Sequence, residues 1–197
     1  MKEIQKYVPE NAVQKVQELL NEYSFILKIV SERKTKHGDF RKLPNGKFQI
    51  TINNNLNPYQ FLLTLVHEIA HHVTFQKYGF VKPHGKEWKL TFKLLMVPFL
   101  SPEIYPNEIL QPLANYLINP KASTDSDVKL SLAMKLKQRD SDKNFIFELG
   151  SGDLFLLKER KFKIIEKKRT RYLCLDILNR KKYLINQNAE VTLLSSH

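Results

Sequence analysis

Apolar residues at Val13, Val16, Leu19 and Leu20 alternate with Gln14, Lys15, Gln17 and Glu18, so the spacing predicts an amphipathic helix from about Pro9 to Tyr23 that packs one face. FILKIV (25–30) then reads as a buried strand, and GDFRKLPNGKFQITIN (38–53) as two strands joined by a turn at Pro44, Asn45 and Gly46. These runs predict a small antiparallel sheet. Asn57 as N-cap and Pro58 at the first helical position open a second helix that runs to about Tyr78, where Gly79 stops it. A third helix is expected over about Lys86–Phe99 and a fourth over Asn107–Ile118, after the proline-marked SPEIYP.

NPKASTDSD (119–127) is a polar break, which divides the chain into an α+β domain at 1–120 and a second region at 121–197. That region reads as a helix over 128–139 followed by the short apolar runs FIFEL, GDLFLLK, FKIIEKK, RYLCLDIL and KKYLI. The pattern predicts a small all-β module of about five strands, with Phe145, Phe147, Leu149, Phe155, Ile164, Tyr172, Leu175, Ile177 and Tyr183 as its core.

Composition narrows the class. A chain of 197 residues with 42% hydrophobic and 26% charged residues can bury a real core. The first residues, MKEIQKYVPENAV, lack the apolar run of a signal peptide, and no stretch approaches the roughly 18 apolar residues that cross a bilayer. A cytoplasmic protein with no membrane partner is expected. Cys174 is the single cysteine, so an intrachain disulfide and a cysteine-based zinc site are both excluded, and any metal must be held by histidine and carboxylate.

The candidate chemistry sits in LVHEIAHHVTFQKYGFVKPHGKEW (65–88). His67 and His71 are four apart on the predicted second helix, about 40° apart around its axis, so both can reach one ion. Glu68 follows the first of them, where a general base of an H-E-x-x-H metallohydrolase stands to orient and deprotonate a water that zinc acidifies to a pKa of roughly 7. A catalytic zinc site needs a third protein ligand. His84 is the first candidate, carried back by the loop that Gly79 and Pro83 bracket, and Glu87 is the second. His72 points about 100° away from His71 and reads as a bystander, as does His37.

His67-Glu68-Ile69-Ala70-His71, the aromatic Phe75 and His84-Gly85-Lys86-Glu87-Trp88 resemble the SprT-like zinc metalloprotease domain, over roughly residues 10–120 and weakly beyond. The resemblance implies a zincin-like fold with helices packed on a small antiparallel sheet and one zinc ion. It further implies His67, His71 and His84 as ligands and Glu68 as catalytic base. It extends to the Spartan proteases, which cleave proteins crosslinked to DNA, so proteins, DNA-associated ones among them, are the implied substrates. One departure stands out: many members carry a four-cysteine zinc ribbon after the protease domain, whereas here Cys174 stands alone.

The function expected is that of a zinc metallopeptidase that hydrolyses peptide bonds in proteins. FQITIN would serve as the edge strand that an extended substrate joins, with Tyr78, Tyr105 and Tyr116 as open candidates for steadying the oxyanion. The competing class is a catalytically silent zinc-containing nucleic-acid-binding or adaptor protein. Net charge is +12, and residues 151–197 hold 11 Lys/Arg against 5 Asp/Glu. There Lys161, Lys163, Lys167, Lys168, Arg169 and Arg171 interleave with Phe162 and Tyr172, the composition of a surface that contacts phosphates and stacks bases; a solvated strand face has the same composition.

Overall fold

The structure, a computed structural model, describes residues 4–33, 35–122, 127–136 and 143–195. The chain forms two compact units, residues 1–134 and 135–197.

The first unit opens with helix α1 (Val13–Glu22) and a three-stranded sheet of β1 (Ile26–Val30), β2 (Gly38–Lys42) and β3 (Phe48–Asn53). The expected hairpin is present: β2 and β3 pair antiparallel, and Gly46 takes a φ of 81° in the turn. The expectation of an antiparallel sheet is corrected at β1, which runs parallel to β3 and gives the order β1-β3-β2. The loop between β1 and β2 crosses the end of β3 and carries the chain from one edge of the sheet to the other. Asn53 holds it there, its side-chain amide donating to the carbonyls of Arg33 (3.3 Å) and Lys36 (2.9 Å) and its backbone N–H to that of His37 (2.9 Å).

Two further expectations change with this order. FQITIN is the central strand, buried from Gln49 to Asn53, so both its edges are already paired and no substrate can join it. The free edges belong to β1 and β2. FILKIV is accordingly a half-exposed edge strand with Ile26 and Lys28 outward, not a buried one.

Helix α2 (Pro58–Tyr78) packs against β2, β3 and helix α3 (Lys86–Met96). Its residues from Phe61 to Ala70 are all buried, which reflects an apolar surface on nearly every side of that stretch. Helix α4 (Asn107–Ile118) closes the core with Ile109 and Leu113. The helix expected at 128–139 is α5 (Val128–Leu136); residues 137–139, like 123–126 of the polar break, lie outside the described residues. Leu130 and Met134 of α5 are buried in this first core, so the first unit extends past the polar break.

The second unit holds strands β4 (Asn144–Phe145), β5 (Leu154–Leu157), β6 (Arg160–Lys168), β7 (Arg171–Asp176), β8 (Lys182–Asn186) and β9 (Glu190–Ser195) in the order β4-β9-β5-β6-β7-β8. All its pairings are antiparallel. FIFEL supplies only the short β4 before a 3₁₀ turn at Ile146–Glu148, and β9 takes the place beside it.

Of the expected core, Leu149, Phe155, Ile164 and Tyr172 are buried in one cluster with Phe147 and Tyr183 packed against it, and Phe145 is buried with its ring stacked on Phe147. Leu175 and Ile177 do not join. Tyr172, Cys174 and Asp176 are the buried positions of β7, so alternation sends the residues between them to the other face. Phe162 is buried with Tyr172, which removes both rings from any base-stacking surface.

Candidate metal centre

Local sequence signals place the first two histidines. The Asn57 side chain accepts a hydrogen bond from the Gln60 N–H at 2.9 Å, Pro58 fits the first turn, and Gly79 ends α2 with a φ of 68°. His67 and His71 therefore project from successive turns of one helix.

His84 arrives on the loop that follows. It sits in the left-handed region at φ 58°, an uncommon setting for histidine, and the turn is closed by the Gly85 N–H donating to the Lys82 carbonyl at 2.9 Å. Gly85 belongs here for a steric reason: a Cβ on it would lie 2.8 Å from that carbonyl oxygen.

The three imidazoles converge. Their Nε2 atoms lie 3.2 Å (His67 to His71), 2.9 Å (His71 to His84) and 3.2 Å (His67 to His84) apart. Trp88 forms the floor, its ring centroid 4.6 Å from that of His67, 4.6 Å from that of His84 and 5.2 Å from that of His71. Among the described residues these three histidines form the group able to hold a metal ion. Glu87, the alternative ligand, lies outside it, its carboxylate 3.8 Å from Lys86 Nζ.

The donor set fits zinc. An ion with Zn–N bonds of about 2.0–2.1 Å and tetrahedral angles separates its ligand nitrogens by about 3.3 Å, close to the spacing seen. Burial, with the neighbouring imidazoles adding to it, pushes His67 well below its ordinary value, and burial takes His71 down to about 4 and lowers His84 as well. All three favour the neutral, ligating form.

Glu68 is buried beside them. Burial is the main cause lifting its carboxyl to about 8, and Asp39 adds to the rise, while Arg33, Lys36 and the Phe40 amide pull the other way. A buried acid raised this far next to three neutral imidazoles marks a site short of positive charge, which a divalent cation would supply.

Strand β2 covers this site, and sequence reasoning missed it. A Cβ on Gly38 would fall 2.6 Å from Glu68 Oε1 and 2.8 Å from Thr64 Cγ2, so the strand backbone rests directly on the carboxylate. The signal was a glycine inside a strand pattern, which marks close backbone approach. Arg33 anchors the preceding loop, donating to Asn53 Oδ1 at 2.9 Å and Thr51 Oγ1 at 2.8 Å. Gly38, Asp39 and Phe40 line one wall of a cleft of about 450 Å³ that also holds His67, Glu68, His71, His84 and Trp88.

The remaining candidates separate from the site. His72 is fully buried among Tyr23, Phe25, Phe40 and Phe48, with neither ring nitrogen hydrogen-bonded. Tyr78, Tyr105 and Tyr116 do not line the cleft; the Tyr105 hydroxyl is turned to the Tyr59 carbonyl and that of Tyr116 to the Lys121 carbonyl. The basic residues lie in the second unit, where Lys161, Lys167, Lys168, Arg169 and Arg171 are exposed and Lys163 is half-buried. Lys168 pairs with Glu166 at 2.9 Å, and Lys167 lies 5.7 Å over the Tyr172 ring. Cys174 is buried, its thiol pushed up to about 11 by burial, and so is unreactive.

An α+β unit with two histidines on a buried helix, a third returned by a loop, and a carboxylate under an edge strand defines the class: a protein with a tri-histidine site able to hold a metal. Comparison with known proteins narrows it. Residues 13–105 match the SprT-like family, a span that includes α1, the sheet, α2, α3 and all four site residues. That span, a little under half of the chain, is similar to the SprT-like family.

Three curated relatives are each called Protein SprT. The one from Vibrio parahaemolyticus is 51% identical over 45 residues, covering 21% of this chain and 27% of that protein. The one from Actinobacillus succinogenes is 53% identical over 34 residues (17% and 20%), and that from Glaesserella parasuis is 54% identical over 33 residues (16% and 21%). The matched stretches thus span about a quarter or less of these relatives' length. No solved structure matches the chain.

Proposed function

We propose that this chain is a zinc-dependent peptidase that cuts extended segments of protein substrates. The observation that carries the reading is the convergence of three Nε2 atoms within 3.2 Å of one another beside a buried carboxylate. His67, His71 and His84 would hold the ion, whose chemistry when bound is that of a Lewis acid that acidifies water and polarises a carbonyl.

The chain's own residues supply the rest. The outer edge of β2 is unpaired among the described residues, so an extended peptide can add to it by backbone hydrogen bonds, and this lays the peptide along the cleft. Glu68, held under Gly38, takes a proton from the attacking water and returns it to the leaving amine. Trp88 keeps the imidazole bases dry and fixed.

The test is cleavage of an unfolded protein such as casein by the zinc-loaded chain. Cleavage that a chelator stops, and that Glu68→Gln loses while still holding about one zinc per chain, is expected. Zinc binding with no cleavage under any condition would favour the silent adaptor. DNA-associated substrates belong to the same proposal, through phosphate contacts of the exposed Lys161, Lys167, Lys168, Arg169 and Arg171 and without stacking by the buried Phe162 and Tyr172. Binding to DNA that is insensitive to salt, or absent at low salt, would remove that part.

A further inference from the structure

Phe80 is 97% exposed, although it stands on the wall of the cleft that holds the three histidines. Its ring meets Phe75 edge to face at 5.1 Å, and Phe75 lies 6.2 Å from Phe40 of β2. These three rings, in contact one after the other from Phe40 through Phe75 to Phe80, and Val81 are all part of the cleft lining. The exposed face of Phe80 is open to whatever enters the cleft.

The direction of β2 says which part of a substrate meets that wall. Gly38 lies over Thr64 and Glu68, whereas Phe40, two residues on, lies against His72 and Phe75. The strand therefore runs in the same sense as α2, from Glu68 toward Phe75. Antiparallel addition, the more stable pairing per residue, makes a bound peptide run the opposite way. Its residues on the amino side of the scissile bond then lie toward Phe40, Phe75 and Phe80.

We propose that Phe40, Phe75 and Phe80 form a subsite for an aromatic or large aliphatic side chain one or two residues to the amino side of the bond that is cut. This deepens the peptidase reading and rests on it. An aromatic side chain laid against Phe80 and Phe75 gains ring contact and buried area, and a serine in its place gains neither; the expected preference is about 3- to 10-fold.

Binding tests the subsite without turnover. Zinc-loaded Glu68→Gln is titrated into labelled alanine hexapeptides that carry Phe or Ser at a central position, and affinity is read by fluorescence anisotropy. The Phe peptide is expected to bind about 3- to 10-fold tighter, and adding Phe80→Ala, a surface change that the fold tolerates, brings the ratio toward one. Equal affinities, or a ratio that Phe80→Ala leaves unchanged, would overturn the subsite. The chain with Glu68 intact is then given the Phe peptide, and the cut is mapped by mass spectrometry. A cut within two residues to the carboxyl side of Phe is expected, and a cut to its amino side contradicts the placement. Phe-selective binding with no cut anywhere keeps the subsite and removes the peptidase reading; a cut with no Phe preference does the reverse.

Discussion

At Gly38 a single hydrogen separates the sheet from the carboxylate below it. A methyl group there would lie 2.6 Å from Glu68 Oε1 and 2.7 Å from Glu68 Cγ, closer than real Cβ atoms come, so the strand or the carboxylate must move. Gly38→Ala is expected to keep zinc and lose at least about tenfold in kcat, because displacement of a catalytic group by a fraction of an ångström has effects of that order; steady-state kinetics with metal analysis checks it. His84 and Glu87 are told apart in the same way. His84→Ala should weaken zinc by more than about 100-fold, beyond what loss of a supporting partner costs, whereas Glu87→Gln should leave it within about twofold, as read by competition with a chromophoric chelator. His84 was legible in the sequence because HGKEW follows the H-E-x-x-H helix by a short loop; its left-handed backbone was not, since nothing in that run announces a positive φ.

Helix α2 is the element from which the site is hung, and its start was the most legible boundary in the chain. Asn57 does two things there: its side-chain Oδ1 accepts from the Gln60 N–H, and its side-chain Nδ2 donates to the Met134 carbonyl of α5 at 2.9 Å. Asn57→Ala should therefore destabilise the unit by about 1–2 kcal/mol, the cap alone accounting for about 1, seen as a lower denaturation midpoint with zinc affinity retained. The sheet was less legible. Neighbouring strands in sequence suggest neighbouring strands in space, but the Arg33, Asn53 and Thr51 hydrogen bonds that pin the crossing loop are long-range contacts with no local pattern. Likewise the KERKFKIIEKKRTRY hairpin shows its charges openly, and Tyr172 was legible as core, whereas Phe162, which reads equally as a stacking ring among lysines, is buried by alternation with Ile164.

Taken as a whole molecule, the metal-free chain carries a pH dependence written by its buried groups. Unfolded histidines take protons near 6.5, whereas folded His71 does so near 4 and His67, His72 and His84 below their ordinary value, so between those limits the unfolded state holds more protons and stability falls as pH falls. Glu68 acts in the opposite sense. Its folded carboxyl keeps a proton from 4.5 up to about 8, so its contribution declines as pH rises through that window. Several histidines outweigh one carboxyl, and melting temperature in chelator should drop from pH 7 to pH 5, more steeply in Glu68→Gln; a flat profile would show that these histidines titrate alike in both states. Among the described residues no helix is long and apolar enough to cross a membrane.

The central claim is that three imidazoles and one carboxylate make a hydrolytic centre, and the rate of peptide-bond cleavage tests it most directly. Initial rates on an internally quenched peptide, measured for the chain and for Glu68→Gln at equal zinc content, should differ by about 100- to 10,000-fold, the usual contribution of a general base. Equal rates, or no cleavage by either protein with zinc fully bound, would contradict the account.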